Sequence, residues 1–113
     1  MTLTLQNIEE AKETIKNNNI VLFMKGTKDM PGCGFSAHVV QILNNLNLDY
    51  VDIDVLNDEN FKENMKKFTN WPTFPQLYVK GEFIGGCDIV KEMFEKGELQ
   101  TKFKEKKISY KES

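Results

Sequence analysis

Leu5, Ile8, Ala11 and Ile15 recur at intervals of three and four, one face of a helix that ends in the polar run Asn17-Asn18-Asn19. Ile20 to Met24 (IVLFM) is short and uniformly apolar, the pattern of a strand covered on both faces. After a loop carrying glycine and proline, Phe35, Val39, Leu43 and Leu46 mark a second helix. Val51, Ile53 and Val55 alternate with polar residues and predict a second strand. Asn57 or Asp58 can cap a third helix, in which Phe61, Met65 and Phe68 repeat at helical spacing. The two prolines of NWPTFP break the chain, and QLYV and FIG flank Lys80-Gly81-Glu82 as a tight hairpin. GGCDIVKEMFEKG then predicts a helix that Asp88 can cap and that ends near Gly97. From Glu98 the chain is rich in lysine and glutamate and reads as a solvated helix end or a disordered tail.

The predicted order is α-β-α-β-α-β-β-α. Two strands joined through a helix run parallel with a right-handed crossover, and the hairpin adds antiparallel strands. The expectation is an α/β domain with a four-stranded mixed sheet flanked by helices, an arrangement that resembles the thioredoxin-like fold. With 113 residues and no repeat or linker, the whole of 1–113 reads as one domain. A chain of that length buries roughly two-thirds of the surface it exposes unfolded.

Composition narrows the chemistry. Net charge is −2, so no basic field favours nucleic acid. All fifteen cationic residues are lysine; without arginine there is no forked guanidinium clamp, and a C-x₅-R phosphatase loop cannot be built. The longest apolar run has five residues, too short to span a membrane. The N-terminal stretch carries no apolar signal core, and its acidic residues argue against a transit peptide. A reducing intracellular compartment, cytoplasm or mitochondrial matrix, is therefore expected. Two cysteines, Cys33 and Cys87, are too few for a disulfide scaffold and lack zinc-site spacing.

Cys33 falls where the loop after the first strand turns into a helix, within KGTKDMPGCGFSAHVV. A helix N-terminus offers unpaired N–H groups and about half a positive charge, which lowers a thiol's pKa. Lys25, at the strand end, adds a second positive influence. A buried, inert cysteine is the ordinary alternative, but Pro31, Gly32 and Gly34 around Cys33 are the residues of an exposed turn. Ser36 occupies the second position of a C-x-x-C pattern. A hydroxyl forms no disulfide, so Cys33 can be resolved only by an external thiol or by distant Cys87.

The motifs FMKGT, PGCGFS, NWPTFPQLYVKGEFIGG and CDI, in that order between about Asn7 and Gly97, resemble the monothiol glutaredoxins of the CGFS type. The resemblance implies the glutaredoxin form of the thioredoxin-like fold, with a core over about 7–97, a polar tail over 98–113, and a glutathione site. Thr73, Phe74 and Pro75 resemble the family's Thr-x-Pro turn, with Pro75 cis beside Cys33 and the Phe74 backbone turned outward to pair with an extended peptide ligand. Matching positions imply that Lys25 and Lys66 meet the glycine carboxylate of glutathione, with Phe35 beside Cys33 in the same set. Gly86, Cys87 and Asp88 are implied at the other end: backbone amides for the γ-glutamyl carboxylate and Asp88 for its ammonium. Lys62 stands where many members carry arginine, a point charge in place of a fork. Trp71 is either a surface aromatic beside a proline turn or one wall of the glutathione groove.

A two-iron two-sulfur cluster takes four thiolates. One Cys33 and one bound glutathione per protomer supply four when two protomers meet. The resemblance thus implies Cys33 as the ligand of a 2Fe–2S cluster in a bridged homodimer, monomeric when apo, that hands the cluster to iron–sulfur recipient or assembly proteins. The long KGTKDMPG loop is tied by the same resemblance to cluster binding rather than disulfide attack. The alternative is a glutathione-dependent oxidoreductase, weak at most, acting on protein–glutathione mixed disulfides with Cys33 as catalytic nucleophile and Cys87 as a resolving thiol. A third class is a regulatory interaction module whose apo or holo form controls a partner.

Overall fold

The computed structural model describes residues 2–3 and 5–113. Its elements are β1 (Thr2–Leu3), α1 (Ile8–Asn17), β2 (Ile20–Met24), α2 (Gly34–Asn45), β3 (Val51–Asp54), a 3-10 turn (Val55–Asn57), α3 (Glu59–Thr69), β4 (Gln76–Val79), β5 (Glu82–Gly85), α4 (Cys87–Glu95) and α5 (Glu98–Glu105). Strand order across the sheet is β1-β3-β2-β4-β5. The four expected strands form the mixed sheet: β2 is parallel to β3, with Phe23 opposite Ile53, and antiparallel to β4, which pairs antiparallel with β5. The pair Thr2–Leu3 adds a parallel edge beside β3 that the hydrophobic pattern does not announce.

β2 is buried along its length because its side chains alternate between two cores. Ile20, Leu22 and Met24 pack with Val39, Leu43 and Leu46 of the α2 segment and with Val90 of α4. Val21 and Phe23 pack on the other face with Ala11 and Ile15 of α1 and Phe61 and Met65 of α3. Leu5 precedes the first helix, whose N-cap is Asn7, yet joins this second cluster. Of the two candidate caps for α3, Asp58 takes the role, accepting the Phe61 N–H at 3.1 Å. No helix is long and apolar enough to cross a membrane, among the described residues.

Two expectations need correction. Asp88 does not cap α4: the N-cap is Gly86, without a side-chain cap bond, and Asp88 lies in the first helical turn, where its charge still suits the helix dipole. The tail is neither disordered nor a solvated extension. Residues from Glu98 form α5, with Leu99 and Phe103 fully buried in the α2 core. Leu99 and Phe103 are four apart and so share one helical face. Two of the surrounding lysines, Lys102 and Lys106, both ion-pair with Glu82 on β5 at 3.0 Å. The last residues return to α2, where Lys111 and Ser113 N–H groups donate to the carbonyls of Leu46 and Asn45. Those carbonyls are among the groups that a helix C-terminus leaves without intrahelical partners.

Candidate functional site

Cys33 is the N-cap of α2, with extended backbone, and its Sγ accepts the Ser36 N–H at 3.4 Å. Here a thiol sulfur takes the place usually held by a serine or aspartate oxygen. Ser36 is fully buried; its Oγ accepts the Lys25 N–H at 3.1 Å and lies 3.4 Å from Cys33 Sγ. A hydroxyl has one proton and two lone pairs, so Oγ can keep the Lys25 bond and donate its proton to sulfur once the thiol ionises. Partial burial pushes the Cys33 thiol up. Hydrogen bonds from the Ser36 hydroxyl and from the Ser36 and Phe35 N–H groups, with the Lys25 charge, outweigh that burial and hold it below its ordinary value. Cys87 is the reverse case: burial first, then the charge of Asp88, pushes its thiol up, with Lys91 opposing. Both cysteines are free thiols.

The loop before Cys33 is folded rather than open. Gly26 and Pro31 form an isolated antiparallel bridge, and the Gly32 N–H donates to the Lys25 carbonyl at 2.7 Å. Gly26 has φ +87°, and a Cβ there would lie 2.4 Å from the Gly32 nitrogen, so only glycine fits.

A cleft of about 290 Å³ lies beside this loop. Lys25 and Phe35 come to it from the cysteine segment, Trp71, Thr73 and Phe74 from the turn before β4, and Gly86 to Ile89 from the start of α4. The Phe74–Pro75 peptide is cis. Phe35 is 64% exposed, an unusual position for a phenylalanine. A Cβ on Gly86 would come within 3.0 Å of Trp71 Nε1, so glycine lets α4 begin against the indole. Trp71 packs edge-on to Phe83 at 5.6 Å, and its Nε1 is buried without a hydrogen-bond partner among the described residues.

The structure therefore gathers Lys25, Phe35, Thr73, Phe74, Gly86, Cys87 and Asp88 around one cleft; Pro75 follows Phe74 directly, and Cys33 stands two residues before Phe35 and is not itself in the lining. Lys62 and Lys66 do not line it: they ion-pair along α3 with Glu59 at 3.8 Å and Glu63 at 3.0 Å. Trp71 and Ile89, the last residue of the CDI motif, line the same cleft. Among the described residues no three of histidine, cysteine, aspartate and glutamate gather to hold a metal ion.

A helix-capping cysteine whose segment shares one cleft with a cis-proline turn, on this mixed sheet, marks the thioredoxin-like fold. The glutaredoxin family model matches residues 20–84. A probable monothiol glutaredoxin 2 of Rickettsia typhi is 55% identical over 100 residues, covering 88% of this chain and 90% of the relative. The solution structure of reduced poplar apo GrxS14 is 46% identical with a TM-score of 0.77, covering 87% of this chain and 90% of that one. A buckwheat glutaredoxin–glutathione complex is 25% identical with a TM-score of 0.76, covering 87% of each chain. The chain belongs to the glutaredoxin family, and within it to the monothiol glutaredoxins.

Proposed function

We propose that this monothiol glutaredoxin binds glutathione in the cleft beside Cys33 and, through that thiolate, carries a 2Fe–2S cluster shared between two protomers for delivery to iron–sulfur recipient or assembly proteins. The observation that carries the reading is the pairing of a thiolate-favouring Cys33 with a buried Ser36. Among the described residues of a protomer, the activated sulfur has no cysteine beside it in the C-x-x-C position and no set of further metal ligands. Four thiolates must then be assembled between molecules, and two Cys33 with two glutathiones supply them. The buckwheat complex supports glutathione as the small thiol.

In the cleft, Thr73, Phe74 and Pro75 would hold the glutathione backbone, Phe35 would pack beside its thiol, and Lys25 would face a carboxylate. The Gly86, Cys87 and Asp88 segment would hold the γ-glutamyl end, amides to carboxylate and Asp88 to ammonium. Lys62 and Lys66 would reach the ligand by leaving Glu59 and Glu63, pairs whose carboxylates are exposed and whose lysines are half-buried.

The lowered thiol also favours a second reading, disulfide exchange. The Cys33 thiolate attacks the glutathione sulfur of a mixed disulfide, the protein thiolate leaves, and a second glutathione thiolate releases oxidised glutathione from Cys33. Anaerobic reconstitution with iron, sulfide and glutathione, read by visible absorption and mass, separates the two. The expected product is a brown, glutathione-dependent dimer with one cluster per two chains. A colourless protein, or one equally brown without glutathione, refutes the carrier reading.

A further inference from the structure

We propose that Asp54, at the end of β3, is a positioning residue that clamps the cysteine loop and so holds Lys25 and Cys33 in place before any ligand arrives. Asp54 Oδ1 accepts the Leu56 N–H at 2.8 Å, as an N-cap of the 3-10 turn does. The same oxygen accepts the Gly26 N–H at 3.0 Å, from a residue 28 positions away. Capping needs only the first bond; the second ties the loop to the sheet. Asp52, two residues earlier on β3, adds a further tie through Oδ2, which accepts the Lys28 N–H at 2.8 Å. Bonds from amides to a carboxylate are shorter and stronger than those between neutral groups.

Parallel pairing explains how the clamp reaches its target. Met24, the last residue of β2, stands opposite Asp54, so the carboxylate sits where strand gives way to loop. From Gly26 the connections run on to sulfur. Its neighbour Lys25 donates an N–H to Ser36 Oγ at 3.1 Å, and that oxygen lies 3.4 Å from Cys33 Sγ. The Lys25 carbonyl is held in turn by the Gly32 N–H, the residue just before Cys33. A segment rich in glycine and exposed residues would otherwise pay ordering entropy when a ligand binds. Fixed beforehand, it presents the Lys25 and Phe35 side of the cleft ready-made. This inference rests on the glutathione reading for one of its two measurements.

The informative variant is Asp54→Ser, which keeps an oxygen for the Leu56 cap but is too short to reach Gly26 as well. Asp54→Asn keeps both the length and an acceptor, and is the rescue. Amide hydrogen exchange of the apo protein and calorimetric titration with reduced glutathione are run on all three proteins. In Asp54→Ser, Gly26 and Gly32 amides should exchange about tenfold faster relative to those of β4, and glutathione affinity should fall about tenfold. Asp54→Asn should stay within about threefold of the unsubstituted protein in both measurements. Unchanged loop exchange in Asp54→Ser overturns the clamp. Faster exchange with unchanged glutathione affinity overturns the positioning role and leaves Asp54 a structural tie. If the unsubstituted protein binds no glutathione, the functional reading fails, and the clamp is decided by the exchange data alone.

Discussion

Ser36→Ala deletes one oxygen that serves two partners. The side chain is fully buried, and the new methyl group fits the space the hydroxyl leaves, so the perturbation is chemical rather than steric. The Lys25 N–H loses its acceptor at 3.1 Å in a partly buried position, a loss of about 1–3 kcal/mol in stability. The Cys33 thiolate loses one hydrogen bond. Such bonds to charged groups are worth about 1.5–3 kcal/mol, but the S···O separation is 3.4 Å and Cys33 is only partly buried. Discounted for solvent, about 1 kcal/mol remains, or roughly fivefold in thiolate at a pH below the thiol's value.

The native state holds the Cys33 thiol below its unfolded value, so its thiolate adds stability above the unfolded value, lost as pH falls through the folded one. Ser36→Ala narrows that gap. Iodoacetamide alkylation, measured against pH in a Cys87→Ser background, reads it directly. The inflection should move upward, alkylation at pH below the inflection should slow roughly fivefold, and rates in alkaline solution should converge. An unmoved inflection, or an equal slowing at every pH, refutes the role assigned to the Ser36 hydroxyl.

Cys33→Ser should abolish the visible absorption of reconstituted protein while Cys87→Ser leaves most of it, because a serine hydroxyl is a poor substitute for thiolate toward iron; equal loss in both would make Cys87 a ligand. With oxidised glutathione, Cys33 should be glutathionylated first. Burial and the Asp88 charge keep the Cys87 thiol protonated near neutral pH, so any Cys33–Cys87 disulfide should form faster as pH rises. Peptide mapping that finds the disulfide forming more slowly in alkaline solution contradicts this. Phe103→Ala should cost about 3–5 kcal/mol in denaturant unfolding, since the ring is fully buried; a loss below about 1 kcal/mol would mean that α5 does not support the α2 core.

What the sequence disclosed depended on how far apart the interacting residues lie. IVLFM announced a two-faced strand because its pattern is local, and the structure divides Ile20, Leu22 and Met24 from Val21 and Phe23 as such a run requires. Cys33 was legible because glycines and proline punctuate the turn into α2. The burial of α5 was missed although Leu99 and Phe103 stand at helical spacing, because the lysines and glutamates around them resemble a solvated tail. Their true partners lie in β5, where Glu82 takes Lys102 and Lys106. Asp88 was given a cap that Gly86 provides by backbone alone. The resemblance assigned Lys62 and Lys66 to the ligand, yet each pairs with a carboxylate on its own helix and neither lines the cleft.

Ser36 shows the limit most clearly. From the sequence it is defined by what it lacks, a thiol. The structure gives it two bonds, one to the end of β2 and one to the sulfur it cannot oxidise. A cysteine there would be a weaker acceptor for the Lys25 N–H. It would also stand within reach of Cys33, where a disulfide would consume the only activated sulfur. Serine keeps the hydrogen bond that favours the thiolate and removes the intramolecular exit. The protein thus tunes Cys33 from within, through Ser36, Lys25 and the loop that Asp54 holds, while any second sulfur has to be brought by another molecule or by Cys87, whose thiol is held protonated. Such a site fits the carrier role proposed above, in which a ligand is shared between molecules.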